Sequence, residues 1–226
     1  MKISRDKRKT PSLGRNVTRQ VRRRQLIDAT IECLAKRGFA DTTMAHVAEA
    51  AGLSQGIINF HFRSKEALLL ETLASMDEEY RANWELAVAR AGPAPEKRLV
   101  ALLRSEFESA ICSRKKIAVW HAFYGEAKAR PTYQKICGAR DEDRRQAMHK
   151  ILEELIAKCD GTRNDSAAIT DALSALTDGI WLDLHLSTKR TDREAAWRPV
   201  EVLLARLFPH HFASDERRAA DHQERA

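Results

Sequence analysis

The chain has 226 residues, of which 43% are hydrophobic and 31% are charged. This length is enough to bury a hydrophobic core in one medium-sized domain or two small ones. Helix-forming residues dominate and no alternating β-branched run indicates a sheet, so we expect an all-α fold. No apolar stretch approaches the ~20 residues of a membrane span, and the basic N-terminus lacks the apolar segment of a secretory signal. We therefore expect a cytoplasmic protein with no membrane partner.

The cysteines argue against a metal site. The four of them, Cys33, Cys112, Cys137 and Cys159, lie far apart and have no neighbouring histidine pattern. Neither a disulfide framework nor a zinc site has this spacing. We predict buried free thiols, no metal and no cofactor.

Positive charge is concentrated at the start of the chain. The formal net charge is +7 at pH 7, and residues 1–24 contain ten Lys or Arg and one Asp. Such a block attracts phosphate, and the attraction weakens as salt rises. With Pro11 and Gly14 in it, the segment 1–20 is predicted to be a disordered basic arm. Contact with the DNA backbone is favoured by its position, and a solubilising tail is the alternative.

A first helix is predicted from about Arg22 to Lys36. Its inner face carries residues at helical spacing, namely Leu26, Ile27, Thr30, Ile31 and Leu34. Gly38 follows at the point where a glycine commonly ends a helix. This helix would cover the back of the segment that comes next.

Residues 41–66 have the pattern of a helix-turn-helix, in which two short helices are joined by a tight turn. Met44, Val47 and Ala48 give the first of them an apolar face, and Gly52 supplies the turn. Hydroxyl residues stand where side chains cap helices: Thr42 or Thr43, Ser54 and Ser64. We predict a three-helix DNA-binding domain over residues 21–66.

A long helix is predicted from Lys65 to about Arg90. Its apolar stripe is spaced by three or four residues and consists of Leu69, Leu73, Met76, Tyr80 and Trp84. The break at residues 92–95, Gly-Pro-Ala-Pro, ends it. One rigid element would thus connect the DNA-binding unit with the C-terminal part of the chain.

Five further helical patterns make residues 67–212 a larger helical domain. They cover about 96–112, 114–129, 132–158, 165–187 and 192–208. Pro131 suits a first helical turn, whereas Pro199 should kink or restart the last helix. Residues 213–226 are predicted to be a disordered charged tail.

The last two helices favour self-association. Ile169, Leu173, Leu176, Ile180 and Leu184 form one stripe. Val200, Leu203, Leu204, Leu207 and Phe208 form another. Two such helices from each subunit can make an intermolecular four-helix bundle, so we predict a homodimer through residues 166–208. Burial of both stripes within one monomer is the alternative.

The segment from Arg24 to Leu70 contains Ala-x-x-Ala-Gly-Leu-Ser-x-Gly, then an aromatic, His61-Phe62 and Lys65-Glu66. This order of residues resembles the N-terminal domain of the TetR family of bacterial repressors. This resemblance implies phosphate contacts from a set of side chains, namely Thr42, Thr43, Ser54, Phe60, His61 and Lys65. The amides of Gln55 and Asn59 are candidates for base edges, because amides pair with adenine. Asn59 stands where the family often has Tyr, so contacts in other members do not transfer directly to it.

Aromatic residues of the second domain are candidates for a ligand pocket, although their helical spacing alone favours plain core. Residues 119–136 and 175–187 resemble the C-terminal domain of the choline-responsive BetI branch of that family. This resemblance implies a small-molecule effector. A quaternary ammonium is held by aromatic faces and a nearby carboxylate. The faces would come from Trp120, Phe123, Tyr124 and Trp181, with Trp84, and the charge from Asp178, Glu126 or Asp183.

These features together predict a ligand-responsive transcriptional repressor that a small molecule, choline or a related cation, releases from a palindromic operator. The alternative is a ligand-independent architectural or regulatory DNA-binding dimer. No nucleophile–base set, metal spacing or phosphate loop indicates an enzyme. The expected partners are double-stranded DNA, a second copy of the chain and the effector.

Overall fold

The computed structural model describes residues 13–158, 165–187 and 192–212. Every regular element in these segments is an α-helix, which confirms the all-α prediction. The chain divides into two compact units, Met1–Thr72 and Leu73–Ala226, whereas we expected a boundary after residue 66. Arm residues 1–12, the tail 213–226 and Cys159 lie outside the described residues. Where it is described, the chain has no helix long and apolar enough to cross a membrane.

The first unit consists of three helices and the start of a fourth. They are α1 Leu13–Arg37, α2 Met44–Ala50, α3 Gln55–His61 and the first residues of α4, Lys65–Arg90. Leu26, Leu34, Val47, Ile58 and Leu68 are almost fully buried and form the core of the unit. The whole predicted inner face of α1 is buried, as its spacing indicated.

α1 begins at Leu13, well before the predicted start at Arg22. The expectation of a disordered arm is therefore wrong for residues 13–20. No proline lies between residue 12 and the end of α1, and Arg and Gln are good helix formers, so the helix extends into the basic segment. Gly38 ends α1 as predicted, with φ +74° and its N–H donating to Leu34 O at 2.9 Å.

The helix-turn-helix is closed by specific caps. Thr43, and not Thr42, caps α2, because its hydroxyl accepts from His46 N–H at 3.2 Å. Gly52 adopts φ +62° in the turn, where a side chain would be strained. Ser54 takes the cap position of α3 without a capping side-chain bond. Ser64 Oγ accepts from Ala67 N–H at 3.1 Å at the start of α4.

α4 is continuous from the first unit into the second. Its predicted stripe, Leu69, Leu73, Met76, Tyr80 and Trp84, is buried throughout. Most of this stripe therefore belongs to the core of the second unit.

The second unit adds six helices among the described residues. These are α5 Pro95–Ser105, α6 Arg114–Ala127, α7 Pro131–Ile156, α8 Ser166–Leu186, α9 Arg193–Leu207 and α10 Pro209–Phe212. α5 ends seven residues before the predicted 112, and Glu106, which follows it, is buried against Arg144. α9 continues through Pro199, which does not restart it as we expected. Pro199 is exposed, so its ring lies on the outer side of the helix.

The buried face of α7 includes two arginines. Its residues are spaced by three or four and run Tyr133, Cys137, Arg140, Arg144, Met148, Ile151 and Leu155. Arg140 and Arg144 are only 5% and 3% exposed. Arginine is almost never this deeply buried unless it is paired, so these two positions identify a polar site inside the unit.

The stripes of α8 and α9 are divided between the interior and the surface. Ile169, Leu173, Val200, Leu204 and Phe208 are buried within the single chain. The other predicted members are partly exposed. The large apolar residues that stay exposed on these helices are Leu182, Leu186 and Val202. The surface available to a second subunit therefore lies beside the predicted stripes and includes only part of them.

Candidate functional site

α3 presents a row of exposed side chains on one face. Gln55 and Asn59 lie one turn apart, and both are exposed. Phe60 is 75% exposed, although burying such a ring would be favourable by about 1.5–3 kcal/mol. Ile58 on the opposite face is fully buried and fixes the rotation of the helix. Amides beside an exposed apolar ring match the edges and methyl groups of bases in a major groove.

Two of the expected phosphate contacts have structural roles. Thr42 is 1% exposed, and its hydroxyl donates to Gly38 O at 2.7 Å. Lys65 Nζ donates to Phe39 O at 2.9 Å and lies 5.5 Å from the centroid of that ring. Thr42 is thus too buried to reach a phosphate, and Lys65 joins the start of α4 to the loop after α1. By contrast, Thr43 and Ser54 are exposed.

Basic residues of α1 lie close to the end of α3. Arg23 pairs with Glu71 and donates to His61 O at 3.0 Å. Burial lowers the pKa of His61, and the charges of Arg23, Arg19 and Arg22 lower it further. His61 is therefore neutral at pH 7.

Arg19 and Arg22 are exposed and belong to the same positive surface as the end of α3. Sequence reasoning missed them as individual contacts, because they were assigned to an arm or to the edge of the first helix. The helical extension of α1 is what fixes their positions. The signal in the sequence was the density of arginines without a proline after Pro11.

The centre of the second unit is an arginine enclosed by aromatic rings. The guanidinium carbon of Arg140 lies 4.4 Å from the ring centroid of Trp120, 4.8 Å from Tyr80 and 5.5 Å from Tyr124. Its Nε donates to Asp141 Oδ1 at 2.8 Å, and its Nη2 donates to the Tyr124 hydroxyl and to Asp141. We call these five residues the Arg140 cluster.

The protonation states in the Arg140 cluster are clear. Burial raises the pKa of both Tyr80 and Tyr124, so both remain neutral phenols. Burial alone would lower the pKa of Arg140. The contacts with Tyr124, Tyr80 and Asp141 outweigh that effect, so the pKa of Arg140 is raised overall. The guanidinium therefore keeps its charge. Its counterion Asp141 has a side chain that is 41% exposed, so the charge is compensated mainly from one edge.

The cluster includes only some of the predicted ligand residues. Trp120 and Tyr124 are members, and Trp181 contacts the Tyr80 ring at a centroid distance of 6.3 Å. Phe123 packs instead against Tyr133 at 5.3 Å. Among the described residues, Trp84 has no ring contact with the cluster. Sequence reasoning missed Arg140 as a site residue and treated Tyr80 as core.

None of the three predicted counterions is enclosed by the aromatic rings. Asp178 and Asp183 are exposed on α8, although burial of the Asp178 carboxyl raises its pKa and the charges of Arg144 and Arg140 oppose that rise. Glu126 is paired with Arg130 at 3.2 Å. The signal that would have identified the true cation was the pair of arginines on the apolar face of α7.

A quaternary ammonium on these rings would have to displace Arg140. It would regain cation–π contacts of about 0.5–2 kcal/mol each. Having no N–H group, it could not replace the hydrogen bonds to Asp141 and Tyr124, and such charged bonds contribute about 1.5–3 kcal/mol each. The exchange is unfavourable, so the structure gives no support to a cation in this place.

Four buried polar atoms near the cluster lack a hydrogen-bond partner among the described residues. They are Arg140 Nη1, Trp181 Nε1, Asp77 Oδ1 and Nε2 of His121, whose ring contacts Tyr124 at a centroid distance of 6.0 Å. Burial raises the pKa of Asp77, while Arg81 and then Arg140 oppose that rise, which places Asp77 within electrostatic reach of Arg140. Buried polar groups are nearly always bonded, so these atoms mark the part of the second unit whose hydrogen bonds the described residues leave incomplete.

The second buried arginine is satisfied internally. Arg144 Nη1 donates to Glu106 Oε1 at 2.5 Å, and the two side chains are 3% and 4% exposed. Burial raises the pKa of Glu106, against the lowering by Arg144. The buried carboxylate of Glu106 is therefore the structural partner of Arg144. Nη1 of Arg140 has no such acceptor among the described residues. The described residues contain no group of three or more side chains that could hold a metal ion.

Comparisons with known proteins agree with this division. Residues 26–72 match the family model for bacterial regulatory proteins of the tetR family. Residues 95–209 match the C-terminal model of BetI-type transcriptional repressors. The HTH-type transcriptional regulator BetI of Burkholderia thailandensis is 31% identical over 199 residues, covering 86% of this chain and 98% of that protein.

Solved structures share the fold. A transcriptional regulator from Pseudomonas aeruginosa superposes with a TM-score of 0.72 at 23% identity, covering 85% of this chain and 94% of that one. A transcriptional regulator from Saccharomonospora viridis, solved in complex with choline, has a TM-score of 0.70 at 19% identity and covers 82% and 96%. The chain therefore belongs to the TetR family of bacterial regulators, with a C-terminal domain of the BetI type, and it is a DNA-binding transcriptional regulator rather than an enzyme.

Proposed function

We propose that this regulator is a homodimeric repressor that binds a palindromic operator in the cytoplasm and is released by a small-molecule effector. The observation that carries the DNA part is the exposed face of α3, in the unit that matches the family's DNA-binding domain. Effector control is supported by the BetI-type match of the second unit and by the choline complex of a structural relative.

Base recognition is assigned to Gln55 and Asn59, whose amides can pair with adenine N6 and N7. Phe60 would contact a thymine methyl or the sugar–phosphate edge. Thr43, Ser54 and His61, together with Arg19 and Arg22, would contact phosphates. Thr42 and Lys65 shape the unit and do not touch DNA in this proposal.

Dimerisation is assigned to α8 and α9, where Leu182, Leu186 and Val202 are exposed. A two-fold axis would present two copies of α3 to half-sites about 34–36 Å apart, or a multiple of that distance. An effector can then act by favouring a conformation with another spacing, and the shift is limited by its differential affinity for the two states. α4 is one helix that spans both units and can transmit such a change.

The test begins with the operator. DNA fragments that surround the gene of this protein are selected by the purified full chain, and affinity for the bound sequence is measured by fluorescence anisotropy. Gln55→Ala and Asn59→Ala should each weaken operator binding about 10- to 100-fold and relax preference at one base position.

Gln146→Ala is the matched control, because Gln146 is an exposed glutamine on α7 and should leave the affinity unchanged. Equal losses on operator and unrelated DNA for both α3 variants would contradict the assignment to base edges. Selection of no specific sequence from any genomic fragment would contradict the proposed function itself.

A further inference from the structure

We propose that the effector of this regulator is a small organic acid whose carboxylate binds Nη1 of Arg140, beside the rings of Tyr80, Trp120 and Trp181. This inference deepens the proposed function, because it takes effector control as given and names the chemical class of the ligand.

Arg140 has more hydrogen-bond donors than the described residues satisfy. Its guanidinium has five N–H donors. Nε and Nη2 have acceptors in Asp141 and Tyr124, whereas Nη1 is buried without an acceptor among the described residues. Leaving a buried charged donor without a partner is costly. The two protons of Nη1 require an acceptor, which a carboxylate provides in the geometry that arginine favours.

A second buried donor without a partner belongs to a residue that packs on the same rings. Trp181 Nε1, a group that can only donate, is also buried and has no partner among the described residues. The Tyr80 ring contacts both the Trp181 ring and the Arg140 guanidinium, so both residues lie against one aromatic side chain. Two donors beside apolar faces suit a ligand with acceptor oxygens on a hydrophobic body.

The charge of Arg140 favours an anion over a cation as the ligand. Because the aromatic faces already hold a guanidinium, a ligand cation would meet like charge, whereas an anion would add a second acceptor to a guanidinium that Asp141 bonds only at Nε and Nη2. Asp77 and Asp178, both within electrostatic reach of Arg140, oppose an anion, but the unpartnered Oδ1 of Asp77 would be satisfied by a hydroxyl or amine on the same molecule. A hydroxy acid or amino acid thus complements the site better than a simple carboxylate.

The two buried arginines of α7 differ in their acidic partners. Both arginines lie on the buried face of α7, four residues apart. Arg144 is closed by the buried carboxylate of Glu106, so its charge needs no ligand. If Arg140 served packing alone, a second buried acid would be the expected partner, but Asp141 is half-exposed and bonds only Nε and Nη2.

The test measures thermal stabilisation and tryptophan fluorescence of the full chain with three probes of one shape. Choline is the cation, tert-butylethanol is its neutral isostere and the conjugate base of tert-butylacetic acid is the anion. A wider panel of carboxylates, including hydroxy acids and amino acids, follows at constant ionic strength. The prediction is saturable binding of at least one carboxylate, with the tert-butyl anion binding more tightly than choline or the neutral isostere.

Variants separate binding from folding. Arg140→Met should weaken carboxylate binding about 10- to 100-fold, as expected when a charge-assisted bond is removed, and abolish the preference for the anion over its neutral isostere. Arg140→Lys keeps the charge and should retain part of that preference. Arg145→Met is the matched control and should bind carboxylates like the wild type. Arg145 lies on the same helix, but it pairs with Asp171 near the surface.

Several outcomes would overturn the inference. Choline binding more tightly than the anion would restore the cation expectation, and unchanged anion selectivity in Arg140→Met would remove Arg140 from the site. Stabilisation by no carboxylate in the panel would favour a ligand-independent regulator. None of these results depends on DNA, so the inference can fail while operator binding, and with it the DNA part of the proposed function, stands.

Discussion

In the first unit, the side chains assigned to DNA stand in solvent on one face of α3, and their hydrogen-bonding groups are available to a partner. In the second unit, the corresponding chemistry is enclosed, and the Arg140 guanidinium is surrounded by three rings of its own chain. An exposed site tolerates free polar groups because water satisfies them. An enclosed site does not, so each unsatisfied atom there calls for a bonding partner.

The largest expected effect distinguishes the two buried arginines. Arg144→Met would leave the carboxylate of Glu106 buried without its partner, so the free energy of unfolding should fall by about 3–5 kcal/mol. Arg140→Met should cost less than Arg144→Met, because it leaves no buried carboxylate without its partner: Asp141 is half-exposed, and water can solvate it. Urea denaturation of both variants measures the difference. Equal losses would contradict the view that only Arg144 has a purely structural partner.

The next effect concerns the surface proposed for the second subunit. Leu182→Asp combined with Val202→Asp should weaken the dimer more than about 100-fold, since buried unpaired charges at an interface cost several kcal/mol. Light scattering across a concentration series measures the dissociation constant. Leu86→Asp is the control, because Leu86 is about as exposed but lies on α4. A dimer that survives the double change would place the interface elsewhere.

A smaller effect tests the basic surface of the first unit. Replacing Arg19 and Arg22 by Gln should lower the slope of log affinity against log salt by about 0.9 for each phosphate that the protein no longer neutralises. Lys65→Met is the matched control, because its amine is bonded to Phe39 O, and its slope should stay at the wild-type value. A flatter slope for Lys65→Met would return that residue to the phosphate contacts that the sequence suggested.

The smallest effect compares two helix caps. Thr43→Ala should reduce the free energy of unfolding by about 1 kcal/mol, because its hydroxyl accepts from His46 N–H. Ser54→Ala should cost clearly less, since Ser54 makes no capping side-chain bond, although it should weaken DNA binding if Ser54 contacts a phosphate. Thermal unfolding without DNA measures both, and a larger loss for Ser54→Ala would contradict this ranking.

The sequence predicted the first unit well, because a helix-turn-helix depends on local signals. Gly38 and Gly52 have positive φ where the turns require it, and the inner face of α1 from Leu26 to Leu34 is buried as its spacing indicated. The start of α1 was missed because charge density was interpreted as disorder, while the same arginines also favour a helix.

The interior of the second unit could be predicted only in part. Trp120 and Tyr124 were predicted to hold a ligand cation and lie instead around the chain's own Arg140, because no local pattern shows what the rings enclose. That depends on α7 placing Arg140 between them, a tertiary relation that one sequence does not display. The arginines on the apolar face of α7 were the available clue. The division of the α8 and α9 stripes between core and surface likewise depended on packing.

We propose that a ligand at Arg140 controls DNA contact by α3, and operator anisotropy tests this control most directly. A carboxylate that binds the wild type is titrated into the complex of protein and labelled operator, with sodium chloride at equal ionic strength as the reference. We predict that Arg140→Met binds the operator as tightly as the wild type but is no longer released by the carboxylate. Release of both proteins at the same carboxylate concentration, or of neither, would contradict the claim.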